Sequence, residues 1–321
     1  MSVLEVKHLK KYFNVPQGTL HAVDDVSFSV EKGETIGIVG ESGCGKSTLG
    51  KTIMKLHEPT AGQMVFNDTD IAPMSPKEFK PLRYHIQMIF QDPYASLDGR
   101  MTVEHQIEEP LVVSRQYKDK EKINKRITEL MDFVGLEQRV RHSYPHELDG
   151  GRRQRIGIAR ALALKPELIV CDEPVSALDV SIQAQVLNLL QDLQEQMGLT
   201  YIFITHNMSV VKHISDQIAV MYLGQVVEKC PANELFVKTL HPYSQALLSA
   251  IPVPDIHVPK KRILLKGELT SPINPQKACR FAPRCPYASE KCFNSEPEYK
   301  EVLPGHFVAC HKVAEECFAN P

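Results

Sequence analysis

A chain of 321 residues is long enough for one large core and a smaller appended unit. Its 37 basic and 39 acidic residues leave a formal net charge of -2, which excludes a general nucleic-acid-binding surface, and no nucleic-acid partner is expected. No apolar run is long enough to cross a bilayer and the start, Met1-Ser2-Val3-Leu4-Glu5-Val6-Lys7, has no signal-peptide pattern, so the reading is a cytosolic protein able to dock on membrane partners.

Residues 2–33 alternate apolar and polar positions, as in Val26-Ser27-Phe28-Ser29-Val30, and predict antiparallel strands. Tyr12 precedes a loop with Pro16 and Gly18; its ring is either a nucleobase platform or an ordinary half-buried side chain. Residues 35–39 predict a buried strand and residues 48–54 a helix. Between them stands Gly40-Glu41-Ser42-Gly43-Cys44-Gly45-Lys46-Ser47-Thr48, a full match to the phosphate-loop pattern. A strand, a glycine-rich turn and a helix N-terminus aim several backbone N–H groups and a partial positive charge at one spot, which suits an anion. Lys46 adds a mobile positive charge for the β- and γ-phosphates, the Ser47 hydroxyl suits Mg2+, and Thr48 can add a phosphate contact.

Pro and Gly recur up to residue 85, around a surface strand at residues 63–66. Residues 86–90 predict an apolar strand that ends at Gln91. Its amide either hydrogen-bonds a metal-bound or attacking water or simply terminates the strand. Residues 102–140 read as helical, with Ile123, Ile127, Leu130, Met131 and Val134 at helical spacing. Asp149-Gly150-Gly151-Arg152 opens a further helix and makes a second candidate anion site. Residues 167–173 run as an apolar strand into Asp172 and Glu173, a pair suited to metal-assisted phosphoryl chemistry. Asp172 would hold Mg2+ through water and Glu173 would polarise the attacking water. Ser176-Ala177-Leu178-Asp179 predicts a turn that caps the next helix. Residues 200–205 predict another buried strand, with His206 at its end.

In this order the motifs resemble an ABC-type ATPase, the nucleotide-binding subunit of an ABC transporter, over residues 1 to about 240. The resemblance implies an α/β P-loop NTPase fold of ABC type: a RecA-like core, an antiparallel β subdomain, and an α-helical subdomain at about residues 92–160. It implies that two such subunits sandwich two ATP molecules, each between one subunit's phosphate loop and the other's Leu-Ser-Gly-Gly signature. Tyr12 would stack on adenine. Gly40, Ser42, Gly43, Cys44, Gly45, Lys46, Ser47 and Thr48 would cradle the phosphates. Ser47, Gln91 and Asp172 would serve Mg2+, and Gln91 would sense the γ-phosphate. Glu173 would be the catalytic base, Asp149, Gly150 and Gly151 the signature, Asp179 an organiser of the dimer contact, and His206 a γ-phosphate contact.

The tail narrows the resemblance. Leu235-Phe236, His241-Pro242-Tyr243, Ala250-Ile251-Pro252, Leu265-Lys266-Gly267-Glu268, Ser271-Pro272-Ile273-Asn274-Pro275 and Arg284-Cys285-Pro286 are similar to the C-terminal region of bacterial oligopeptide and dipeptide permease ATPases, here residues 241–321. This implies an ATP-hydrolysing subunit of a peptide importer. It would sit peripherally on the cytoplasmic face of the cell membrane, with a second, homologous ATPase subunit, two permeases and an extracytoplasmic solute-binding protein. A nickel or other small-solute importer is the alternative, and a soluble ABC ATPase outside transport a more distant one.

Two features stand apart. The signature reads Leu148-Asp149-Gly150-Gly151-Arg152 where the family has Leu-Ser-Gly-Gly-Gln, and an ionised Asp has only acceptors to offer a phosphate. Two unit charges ~4 Å apart repel by about 4 kcal/mol at an effective dielectric near 20. Arg152, three residues on, is placed to offset this. Cys279, Cys285, Cys292 and Cys310 are separated by five, six and seventeen residues in a proline-punctuated segment with little core of its own. Zinc favours C-x2-C pairs, whereas four thiolates suit a [4Fe-4S] cluster, which some peptide-permease ATPases carry at the matching cysteines. The cluster is the expectation, Zn2+ the alternative, free thiols the third reading, and His311 and Cys317 are reserve ligands. Cys44, Cys171 and Cys230 are isolated and read as packing residues.

Overall fold

The apolar alternation at the start of the chain becomes two long strands, β1 (Ser2–Val15) and β2 (Gly18–Glu31), in a computed structural model that describes residues 2–117, 119–251, 262–267 and 270–319. Pro252 and Glu268, which helped carry the resemblance of the tail, lie outside the described residues. The chain forms two compact units. One comprises Leu4–Val30, Thr35–Ala72 and the described residues from Thr205 onward; the other comprises residues 2–3, Glu31–Glu34 and Pro73–Ile204.

In the first unit, β1 pairs antiparallel with β4 (Ala61–Phe66), and β4 with β5 (Thr69–Asp70), giving the sheet order β2-β1-β4-β5 after β3 (Thr35–Val39) is set aside. Leu4 faces Phe66 and Val6 faces Met64 across β1 and β4, and all four are buried. A slip of one residue would turn this set outward, so burial itself fixes the register.

The second unit is built on three parallel strands, β6 (Ile86–Ile89), β7 (Leu168–Asp172) and β8 (Thr200–Thr205), with Ile86 opposite Leu168 and Leu168 opposite Thr200. Every residue of β7 and β8 is buried, as expected for strands covered on both faces. The helical stretch expected at 102–140 is two helices, Val103–Val113 and Lys120–Phe133, whose first turns are capped by the Thr102 and Asp119 side chains. Arg115 at φ 58° turns the chain between them, and Ile123, Ile127, Leu130 and Met131 point into the core.

The first unit's second sheet begins with β3, parallel to β9 (Gln217–Tyr222). A two-residue turn, Leu223-Gly224 with both residues at positive φ, leads into antiparallel β10 (Gln225–Pro231), the turn type that matches strand twist. β11 (Tyr299–Leu303) and β12 (His306–Ala309) form a hairpin, and β12 pairs with β10. The tail thus lengthens the sheet. Tyr243 and Phe281, both buried, pack edge-on against Tyr222 with ring centroids 4.7 and 5.3 Å away. Among the described residues no helix is long and apolar enough to cross a membrane.

Candidate functional site

β3 delivers the chain to Gly40, and the helix after the turn runs Lys46–Ile53, two residues earlier than the spacing suggested. Gly45 stands at the helix N-cap with φ 108°, where an added Cβ would lie 2.0 Å from the Ala22 carbonyl oxygen; at Gly40 it would lie 2.1 Å from that of Met221. Both obstacles are backbone, so only glycine fits. The Lys46 ammonium donates to the carbonyl oxygens of Gly40 and Glu41, each at 2.9 Å, and so ties the loop across its own mouth. Ser42 and Gly43 are exposed, and Ser47 and Thr48 half-buried. Cys44 is buried 3.7 Å from the Lys46 ammonium; burial pushes its thiol up while the ammonium pulls it down.

In the same unit Tyr12 lies within β1, ahead of the turn that leads to β2. Its hydroxyl donates to Asp24, and His21 stacks on one face of its ring at 3.9 Å. Burial first, then the hydrogen bond to Asp24, raises the phenol. Burial alone would raise the Asp24 carboxyl, but hydrogen bonds from Tyr12, His21 and Arg280 together hold it below the usual carboxylate range. His206 is exposed directly after β8, and the next residue, Asn207, caps the helix Met208–Ile214.

In the other unit, β7 ends at buried Asp172, and Glu173 follows at φ 47°, a left-handed conformation unusual for a residue other than glycine. Its N–H donates to the Ile204 carbonyl at 2.9 Å, and its carboxylate accepts the Gln91 side-chain amide at 2.9 Å. Two residues singled out separately in the sequence are thereby joined. The turn at 176–179 forms, but Asp179 does not cap the following helix, Val180–Met197: its side chain makes no cap hydrogen bond. Instead the Gln183 side chain reaches back to the Leu178 carbonyl at 2.9 Å. Asp149 is the N-cap of the helix Gly150–Leu162. It accepts the Arg152 N–H at 2.8 Å, and the Arg152 guanidinium lies 3.2 Å from its other oxygen. A Cβ on Gly151 would lie 2.7 Å from Ile182, so the second glycine of the signature lets two helices approach closely.

The cysteine expectation is met only in part. Cys279, Cys285, Cys292 and Cys310 share a neighbourhood: the Cys279 N–H donates to the Cys292 carbonyl at 2.9 Å, and burial, reinforced by Cys292 and Cys310, pushes the Cys279 thiol up to about 11. Burial also raises Cys285 and Cys310. Among the described residues, however, no group of three or more His, Cys, Asp or Glu side chains is arranged to hold a metal ion, so the expected ligand set is not formed. The ring of the reserve ligand His311 is engaged with Ser295.

Residues to which the sequence reading gave no site role surround the phosphate loop. The Glu41 N–H donates to the Tyr243 hydroxyl at 2.9 Å, and its carboxylate accepts two bonds from the Arg284 guanidinium, at 2.5 and 3.0 Å. Arg280 donates to Asp24 and to the Leu223 carbonyl. Arg284 had entered the sequence reading only as part of Arg284-Cys285-Pro286, and Arg280 only by its place beside Cys279.

Comparison with known proteins agrees with this picture. The chain matches the ABC transporter family over residues 23–176 and the oligopeptide/dipeptide transporter C-terminal region over residues 227–292. It is 53% identical to the oligopeptide transport ATP-binding protein AppF of Bacillus subtilis (strain 168), over 97% of each chain. It is 48% identical to OppF, an oligopeptide transport ATP-binding protein of the same organism, over 99% of each chain. A putative peptide import ATP-binding protein of Brucella ovis is 47% identical, over 96% of this chain and 97% of that one. Among solved structures, a dimeric ATP-binding cassette in a post-hydrolysis state with ADP and phosphate superposes with a TM-score of 0.66 at 29% identity, covering 71% of this chain and 98% of that one. With such identity over nearly its whole length, and with the phosphate loop and the Gln91–Glu173 pair in place, the chain belongs to the ABC ATPases of the oligopeptide/dipeptide transporter family.

Proposed function

We propose that the chain is the ATP-hydrolysing subunit of a bacterial importer of di- and oligopeptides, one half of an ATPase heterodimer that drives two permeases fed by an extracytoplasmic solute-binding protein. It sits peripherally on the cytoplasmic face of the membrane. The observation that carries the catalytic part is the hydrogen bond from the Gln91 amide to Glu173 at the end of a buried strand. The likeness of residues 227–292 to the oligopeptide/dipeptide transporter C-terminal region supports the peptide part.

In this reading the N–H groups of residues 40–48 and the Lys46 ammonium hold the β- and γ-phosphates, and Tyr12 stacks on adenine by the ring face that His21 leaves. Ser47 and Gln91, with Asp172 acting through water, would hold Mg2+, which when bound offsets the triphosphate's charge. Glu173 takes the proton of the attacking water, with its carboxylate oriented by Gln91. His206 touches the γ-phosphate, and Asp179 lies at the contact with the partner ATPase. Asp149, Gly150 and Gly151 face the ATP held by that partner. Because Asp149 is an acceptor, the partner's ATP turns over slowly while the ATP on this chain is hydrolysed. The four thiols of Cys279, Cys285, Cys292 and Cys310 take a [4Fe-4S] cluster, a reading supported by their shared neighbourhood.

The test is reconstitution with the partner ATPase and permeases in vesicles. Wild-type complex is expected to import labelled peptide at the expense of ATP. Glu173→Gln complex is expected to bind MgATP, to lose hydrolysis by at least about a hundredfold, and to accumulate as a nucleotide-trapped ATPase pair. Uptake of nickel without uptake of peptide would replace the substrate assignment, and hydrolysis undiminished by Glu173→Gln would remove the general base.

A further inference from the structure

The tail meets the phosphate loop through Arg284, and the pairing has a direct electrostatic consequence. Glu41 is the second residue of the loop, so its carboxylate is tethered one residue from Gly40 and five from Lys46. Left to swing, it would bring a negative charge to the rim of a cradle built for a polyanion. It does not swing. The Arg284 guanidinium takes both carboxylate oxygens in a two-point bridge while its side chain is 9% exposed, and the Tyr243 hydroxyl fixes the Glu41 N–H. Arg284 is itself held from behind. It lies over the Tyr222 ring, and its Nε donates to the Lys266 carbonyl at 3.3 Å. The carboxylate in turn holds the guanidinium in its charged form. Four residues earlier, Arg280 makes the matching contact on the other side, binding the Asp24 carboxylate that accepts the Tyr12 hydroxyl and pairs with His21. The backbone follows the same course: the His21 N–H donates to the Pro272 carbonyl at 3.0 Å and the Asn274 N–H to the Thr19 carbonyl at 2.9 Å.

We propose that Arg284 is a positioning residue for nucleotide binding, which holds the Glu41 carboxylate out of the phosphate cradle, with Arg280 anchoring the same segment at the Tyr12 side. This rests on the nucleotide reading of the loop given above. The tail is then a working part of the nucleotide site, and its Arg284 matters to ATP because of one acid.

Calorimetry with MgATP on the full purified chain tests this through epistasis. Arg284→Gln is expected to weaken MgATP binding roughly tenfold, with a penalty that shrinks as salt rises because the offending charge is exposed to screening. Glu41→Gln is expected to bind at least as tightly as wild type. The Arg284→Gln/Glu41→Gln double variant is expected to bind like Glu41→Gln, since Arg284 has nothing left to restrain. Arg284→Lys, which keeps the charge but loses the two-point geometry, is expected to fall between wild type and Arg284→Gln. In the assembled ATPase the Arg284→Gln change should appear in KM for ATP, with kcat within about twofold of wild type. Melting curves accompany each variant. If Arg284→Gln does not fold, the double variant and Arg284→Lys still carry the comparison. A double variant as weak as Arg284→Gln, or Arg284→Gln binding as tightly as wild type, overturns the proposal and leaves the nucleotide reading standing, with Lys46→Ala as the non-binding control. Wild-type chain that takes up no MgATP overturns the nucleotide reading and the proposal together.

Discussion

Asp149 combines two properties that single substitutions can pull apart. As the N-cap of the helix Gly150–Leu162 it accepts the Arg152 N–H, a task that Ser performs equally well and Ala cannot. As a carboxylate it brings charge to a signature where the family has a hydroxyl, partly balanced by the Arg152 guanidinium at 3.2 Å. That ion pair is exposed, so its worth is at most about 1 kcal/mol. Asp149→Ser is therefore expected to leave the melting temperature unchanged and to raise ATP turnover by the ATPase assembled with the proposed second subunit. Asp149→Ala is expected to cost about 1 kcal/mol of stability through the lost cap. Steady-state ATPase assays and denaturant titrations read the two effects separately; an unchanged rate with Ser would leave Asp149 as a cap alone.

The β9–β10 hairpin and the helix Pro242–Ser249 meet over a buried polar knot. Glu228, fully buried on β10, accepts the N–H groups of Leu240 and His241 and pairs with His306 of β12 at 2.8 Å. Next to it the fully enclosed His241 ring accepts the Tyr243 N–H at 3.1 Å, which requires an unprotonated nitrogen. Burial pushes this imidazole down to about 4, against the opposing pull of Glu228. The unfolded chain takes up the proton first, so acid favours unfolding. This contribution to stability is intact above roughly pH 6.5 and falls as the pH drops toward 4, by up to about 1.4 kcal/mol per unit. Urea titrations at pH 7 and pH 5 are expected to show that loss in wild type and a smaller one in His241→Gln. Equal losses in both would assign the acid sensitivity to other groups.

At the scale of the whole chain, the tail is what distinguishes this ATPase from a bare cassette. It lengthens a sheet by the β11–β12 hairpin, seats Phe281 against Tyr222 and Tyr243, and reaches the phosphate loop through Arg284. If its four thiols take a cluster, chain purified without oxygen should carry iron and labile sulfide near roughly four of each, and removing them should lower the melting temperature. Stoichiometric zinc, or no metal with an unchanged melting curve, would reject the cluster. The contrast between loop and tail also shows how far residues in a row can be read. The phosphate loop, the strand ending in Asp172 and Glu173, and the apolar periodicity of the helices were legible because each rests on neighbours within a few positions, where backbone geometry and hydrogen bonding leave little choice. The Asp179 cap was misjudged because residue type alone does not say where a side chain turns: Asp179 stands at the N-cap position, yet its carboxylate makes no hydrogen bond to the helix N–H groups. The cysteine spacings suggested a ligand set, yet among the described residues no three His, Cys, Asp or Glu side chains are arranged to hold a metal ion, because spacing along the chain does not fix how side chains converge. Hydrophobic pattern and local turn chemistry already specified where the phosphate-binding turn lies and the strands that lead to it and to Asp172 and Glu173, but not the strands Gln217–Tyr222, Gln225–Pro231, Tyr299–Leu303 and His306–Ala309. That Glu41 would meet Arg284, 243 residues downstream, followed only from packing, because a pair of charges has no partner until the chain between them has folded.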